Sequence, residues 1–184
     1  MNKYIKAFNS SVSGFFKFLG LKITRGSKVK MSLPALVPAS CELDVRKGGS
    51  LIIGKRIHAL PNGRIAVRNG GKVTIGDNFY MNSGCIITAH ESVIIGNDVE
   101  FGPYVCVYDQ DHDFRAEGGL KSKKFKTAPV VIGNNVWIGA NTIILRGTEI
   151  GDNSVIGAGS VIKGKYPAGS VVVQKRNEEV LKVE

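Results

Sequence analysis

The stretch Val131-Ile-Gly-Asn-Asn-Val-Trp-Ile-Gly-Ala140, taken up again in Ile150-Gly-Asp-Asn-Ser-Val-Ile-Gly-Ala-Gly-Ser-Val161, repeats every six residues. Steps of six from Ile132 land on Ile138, Ile144, Ile150, Ile156 and Ile162. Four places after each of the first five stands a smaller residue: Val136, Thr142, Thr148, Ser154 and Ser160. The same step joins Ile95, Phe101 and Val107, then Ile75, Met81 and Ile87, and more faintly Ile53, Ala59 and Ile65. A fixed internal period outranks local propensity in deciding a fold.

Helices and ordinary strands place side chains with periods of about 3.6 and about 2 residues, so neither produces a period of six. A corner must intervene. Gly76-Asp77-Asn78, Gly96-Asn97-Asp98, Gly133-Asn134-Asn135 and Gly151-Asp152-Asn153 each follow an aliphatic position, and these residue types tolerate tight turns and positive φ. Each hexapeptide then reads as a short flat strand plus a turn. Three of them close a triangular coil, and coils stack at the spacing of paired strands, about 4.8 Å, with the aliphatic positions lining the interior. The expected fold is an all-β parallel β-helix prism.

The two quoted segments resemble the hexapeptide-repeat acyltransferases, in particular the branch of maltose, galactoside, capsule and lipopolysaccharide sugar O-acetyltransferases, over roughly residues 51–167. Spacing alone does not fix handedness, and right-handed crossovers are the general rule. A left-handed winding and a homotrimer are therefore what the resemblance implies, as is acetyl-CoA as co-substrate, with no metal.

At 184 residues the chain suits one domain with modest appendages. Its 23 glycines and single Trp suggest many turns around a thin core. No apolar run is long enough to span a bilayer, and Asn9, Ser10 and Ser11 interrupt the start, so a cytoplasmic location is expected. Cys41, Cys85 and Cys106 have neither the count nor the spacing of a disulfide framework or zinc site and are read as reduced thiols. The net charge of +10 lies mostly near the ends and in Lys121, Lys123, Lys124 and Lys126, without the aromatic interleaving of a single-strand binder. No nucleic-acid partner is expected.

The prism is expected over residues 51–167, after a helix and irregular lead-in over 1–50 and before a tail over 168–184. An inserted loop over 113–131 interrupts the register. Long loops on rigid scaffolds tend to carry function. Tyr4, Ile5, Phe8, Val12, Phe15, Phe16 and Leu19 recur at helical spacing among lysines, predicting an amphipathic helix. Capping the open prism end is taken as its role, with weak peripheral membrane contact as the second reading. Val171 to Val173 is expected to run back along the prism as a strand.

O-Acetyl transfer needs a base for the hydroxyl proton and a donor for the developing oxyanion. Among His58, His90 and His112, the last stands in Tyr108-Asp-Gln-Asp-His-Asp-Phe114 at the end of a coil, directly before the insertion. The resemblance places the catalytic histidine there. Asp109, Asp111, Asp113 or a backbone carbonyl are the candidates for orienting its ring. His58 is read as structural or exposed.

The resemblance also places Asn82 near the acceptor, a sugar or glycan. His90 stands where the resembling enzymes often have Asp, so the acceptor's identity stays open. For the donor it implies pantetheine along the last coils between subunits, packed by Trp137 and contacted at Gly139, Ala140, Ala158 and Gly159. Lys163, Lys165 and Arg176 are the candidates for the CoA phosphates. An N-acetyltransferase acting on an amino-sugar nucleotide and a non-catalytic scaffold are the alternatives. A zinc-dependent carbonic anhydrase on the same prism needs a closely spaced His pair that is missing here.

Overall fold

The computed structural model describes residues 2–68 and 70–175. Three parallel sheets of seven, six and six strands form the faces of a solenoid of about six turns, the left-handed parallel β-helix. Each face has one interior column. Met31, Ile53, Ile75, Ile95, Ile132 and Ile150 stack on the seven-stranded face. Ala59, Met81, Phe101, Ile138 and Ile156 stack on the second, and Ile65, Ile87, Val107, Ile144 and Ile162 on the third. All of these side chains are buried. The six-residue step is thus the path from one face to the next.

The residue two places earlier also points inward, as Val73, Phe79 and Cys85 do, then Val93, Val99 and Val105. In the last coils Thr142, Thr148, Ser154 and Ser160 take this position. Their hydroxyls remain compatible with burial because each donates to a backbone carbonyl, Ser160 to Gly157 at 2.7 Å for example.

The corners explain the Gly-Asx-Asx signature. Asp77, Asn97, Asn134 and Asp152 each accept a backbone N–H from the coil below, at 2.7–2.9 Å, from Lys55, Asp77, Asn97 and Asn134 in turn. The next residue, Asn78, Asp98, Asn135 or Asn153, has a φ of 52–59°, a region that Asn and Asp enter more readily than other side chains. The preceding glycine lies against the next coil: a Cβ on Gly96 would meet the Gly133 oxygen at 2.6 Å.

Stacking begins earlier than residue 51. Val29–Met31 pairs in parallel with Ser50–Ile53, and Glu42–Val45 with Arg64–Val67, so the expected lead-in holds the first coil. Its inner residues include Met31, Val37 and Leu43, the same step of six, with the smaller Ala35 and Cys41 two places before the last two, and Pro34 and Pro38 interrupt the strand pattern. The tail also differs from expectation. Val171–Val172 pairs in parallel with Val155–Ile156, because the turn at Pro167 to Ser170, with Gly169 at φ 74°, makes one more corner. The chain there continues the coil instead of running back.

The N-terminal helix, Lys3–Arg25, is capped by the Asn2 side chain, which accepts the Tyr4 N–H at 3.0 Å. It does cap the prism. Gly14 is buried where a Cβ would meet the Ala35 oxygen at 2.6 Å, Ser10 O accepts the Val37 N–H at 3.1 Å, and Phe18 and Leu21 pack on the core.

Candidate active site

The insertion is an ordered arm. Gln110–His112 pairs antiparallel with Phe125–Thr127, placing His112 opposite Phe125, and Gly119–Ser122 forms a short 3-10 turn near its tip. Val130–Ile132 already pairs with Val93–Ile95, so the arm spans roughly 109–129 and carries His112 on its first strand. The expected boundary at 113 falls inside the hairpin.

His112 is solvent-exposed, and its ring lies 4.6 Å from the Phe125 ring between centroids. Phe125 also contacts His90, at 4.3 Å. The two histidines therefore flank one aromatic side chain, at the corner where the third face turns into the seven-stranded one. Burial pushes the His90 imidazole below its usual pKa, an effect partly opposed by the nearby Asp109 carboxylate and reinforced by Arg68, His112 and Arg46.

None of the three expected aspartates bonds the His112 ring among the described residues. Asp109 is fully buried and accepts the backbone N–H groups of His90, Glu91 and Ser92 at 2.7–3.1 Å. Asp111 accepts Arg146 Nε at 2.5 Å. Asp113 faces Lys126 at 3.3 Å and accepts the Arg115 N–H. The imidazole contacts the Phe125 ring, tilted 39° to it.

Asn82 lies on another edge of the prism. Its backbone N–H donates to Phe101 O, and its side chain accepts the Ser83 N–H at 2.8 Å. Above it on the same edge stack Gly102, Gly139 and Ala140, then Ala158 and Gly159, whose N–H donates to Ala140 O at 2.7 Å. Stacking itself demands the glycine at 139, since a Cβ would meet Ala158 N at 2.5 Å. Trp137 stands exposed on the adjoining face beside a shallow depression of about 440 Å³ bordered by Asp98, Glu100, Asn135 and Val155.

Lys163 follows Ile162 at the His112 corner, and Lys165 pairs with Glu149 at 2.9 Å. Arg176 lies outside the described residues. One chain thus brings His112, His90 and Lys163 to one edge, and Asn82, Trp137 and the small-residue column to another.

Sequence reasoning missed Phe125, Arg146 and the task of Asp109. A signal existed for the last: the alternation Val105, Val107, Asp109 puts a carboxylate at an inward position. Buried Cys41 and Cys85 have their thiols pushed up to about 11 by burial, which keeps them protonated and unreactive. His58 is half-buried, edge-on to Tyr80 at 5.2 Å.

The bacterial transferase hexapeptide family (six repeats) matches residues 129–164. The galactoside O-acetyltransferase of Escherichia coli is 40% identical over 106 residues, 55% of this chain and 50% of that protein. WbbJ of Escherichia coli, named for O-acetyl transfer in lipopolysaccharide biosynthesis, is 31% identical over 136 residues, 70% of this chain and 69% of the relative. An N-acyltransferase from Bacillus cereus, solved with dTDP and 3-hydroxybutyryl-CoA, superposes with a TM-score of 0.68 at 21% identity, over 89% of this chain and 88% of that one. That last likeness shows the fold alone. The match spans about half the length of the first curated relatives. With the repeat, the three-faced prism and these relatives together, the chain belongs to the hexapeptide-repeat acetyltransferase family.

Proposed function

We propose that the protein transfers an acetyl group from acetyl-CoA to a hydroxyl of a sugar or polysaccharide precursor, with His112 as general base. The observation that carries this reading is the placement of His112: an exposed imidazole, packed at a tilt against Phe125, on an arm rooted in the prism by a buried carboxylate. The neutral ring takes the hydroxyl proton as the sugar oxygen attacks the thioester carbonyl. A tetrahedral oxyanion forms, and its collapse breaks the C–S bond. The imidazolium then returns the proton to the departing thiolate.

His112 and the small-residue column of Gly139, Ala140, Ala158 and Gly159 lie on different edges of a narrow prism. We therefore assign the complete site to the seam between subunits of a trimer, with His112 from one chain facing the donor wall of its neighbour. Trp137 and the column contact pantetheine, Asn82 and His90 contact the acceptor, and Lys163, Lys165 and Arg176 serve the CoA phosphates. Hydroxyl acceptors are favoured because the relatives at 40% and 31% identity are named for O-acetyl transfer.

Release of free thiol from acetyl-CoA with a panel of neutral sugars and amino-sugar nucleotides tests this. Thiol release with the hydroxyl acceptors alone is the expected result. Release with only the amino-sugar nucleotides would replace it with N-acetylation, and none with any acceptor would favour a scaffold.

A further inference from the structure

The N-terminal helix has two apolar sides, and capping uses one. Gly14, Phe18 and Leu21 face the first coil. A second set, including Tyr4, Phe8, Phe15, Phe16, Leu19 and Ile23, is exposed, with Tyr4 at 71% and Ile23 at 75%. At about 100° per residue, this second set falls in one arc of about 120°, bounded by Tyr4 and Phe16 and separate from the capping side. Leu33, also exposed, lies beside Phe15 and Phe16 across a shallow groove. Monomeric proteins rarely expose a contiguous apolar surface of this kind without a partner.

Charge identifies the partner. The chain carries seven cationic side chains between Lys3 and Lys30 and no carboxylate before Glu42. Lys22 borders the apolar arc at the azimuth of Tyr4, its Nζ donating to Val29 O at 3.4 Å, while Lys3, Lys6 and Lys17 stand about 80–100° beyond the arc. A second copy docking helix against helix would bring this cationic segment onto itself. An anionic lipid surface instead accepts the aromatic and aliphatic side chains below its headgroups and attracts the cationic segment, which lies within about a Debye length of it. No helix among the described residues is long and apolar enough to cross a membrane, which leaves binding along the surface. We propose that the outer face of the N-terminal helix docks the protein on an anionic bilayer.

Co-sedimentation of the full chain with phosphatidylcholine vesicles, with and without phosphatidylglycerol, tests the proposal independently of any enzymatic activity. Wild-type protein is expected to pellet with the anionic vesicles and to be released by salt. The variant Phe8→Ser/Phe16→Ser/Ile23→Ser is expected to bind at least about tenfold more weakly, with unchanged melting and unchanged mass by light scattering. Lys3→Gln/Lys6→Gln/Lys17→Gln, which leaves the apolar arc intact, is expected to bind more weakly too. Wild-type protein that ignores anionic vesicles, or a triple Ser variant that binds them as well as wild type, overturns the proposal. So does a triple Ser variant of lower mass, which would show that a second copy covers this face.

Discussion

Asp109 accepts the backbone N–H of His90 through Oδ1 at 2.8 Å, while its Oδ2 takes those of Glu91 and Ser92, both at 2.7 Å. A single buried carboxylate thus closes the corner beneath the arm that carries His112. Removing it strands three backbone donors, each costing about 1 kcal/mol or more. Asp109→Ala is expected to lower the unfolding free energy by about 3 kcal/mol, and Asp109→Asn, which keeps one acceptor, by less. Urea denaturation measures both; a loss below about 1 kcal/mol for the Ala variant would show the corner to be closed by something else.

Arg146 reaches from a later coil to Asp111, next to His112, at 2.5 Å. Both partners are partly exposed, so Arg146→Ala is expected to change stability by less than about 1 kcal/mol. The same pair pins the first strand of the arm, and small displacements of a base cost rate steeply. Steady-state kinetics is expected to show kcat lowered roughly tenfold with KM for acetyl-CoA little changed. Unaltered kcat would mean that Phe125 and the hairpin alone hold the base.

The prism was legible because its rule is local and repeated. Every member of the Ile132 series is buried where a step of six puts it. The first coil keeps the same step in Met31, Val37 and Leu43, and was hidden because Pro34 and Pro38 replace the Gly-Asx-Asx corners that mark the later coils. The arm was hidden for another reason: antiparallel pairing of His112 with Phe125 joins positions 13 apart that share no period. Long-range partners such as Arg146 leave no mark on the sequence near His112. The place of His112 at the end of a coil was readable, but its surroundings depend on tertiary contacts.

Acid should weaken the fold partly through His90. Burial holds its native pKa below the ordinary 6.5, so the unfolded chain binds more protons once pH falls below about that value. Its contribution to stability is therefore full above about 6.5 and declines below it, until the native ring also charges. His90→Gln is expected to show a shallower loss of melting temperature between about pH 7 and pH 5 than wild type. Parallel curves for the two proteins would exclude His90 as a source of the acid sensitivity.

A seam site makes two dead subunits complementary. His112→Ala removes the proposed base from one edge, and Ala158→Trp, at an exposed position, obstructs the small-residue column on the other. Mixed oligomers of these two variants contain some seams built from two intact halves, so part of the activity is expected to return after subunit exchange. No recovery despite exchange verified by mass spectrometry would place the whole site on one chain.

The central claim is that His112 supplies the base. It is tested most directly by the rate of thiol release from acetyl-CoA, with a sugar acceptor that wild type uses, in His112→Ala protein whose melting transition matches wild type. Loss of a general base costs at least about a hundredfold, and a fall of that size is the predicted result. Turnover within about threefold of wild type in the folded variant would contradict it, because no such penalty would then have been paid.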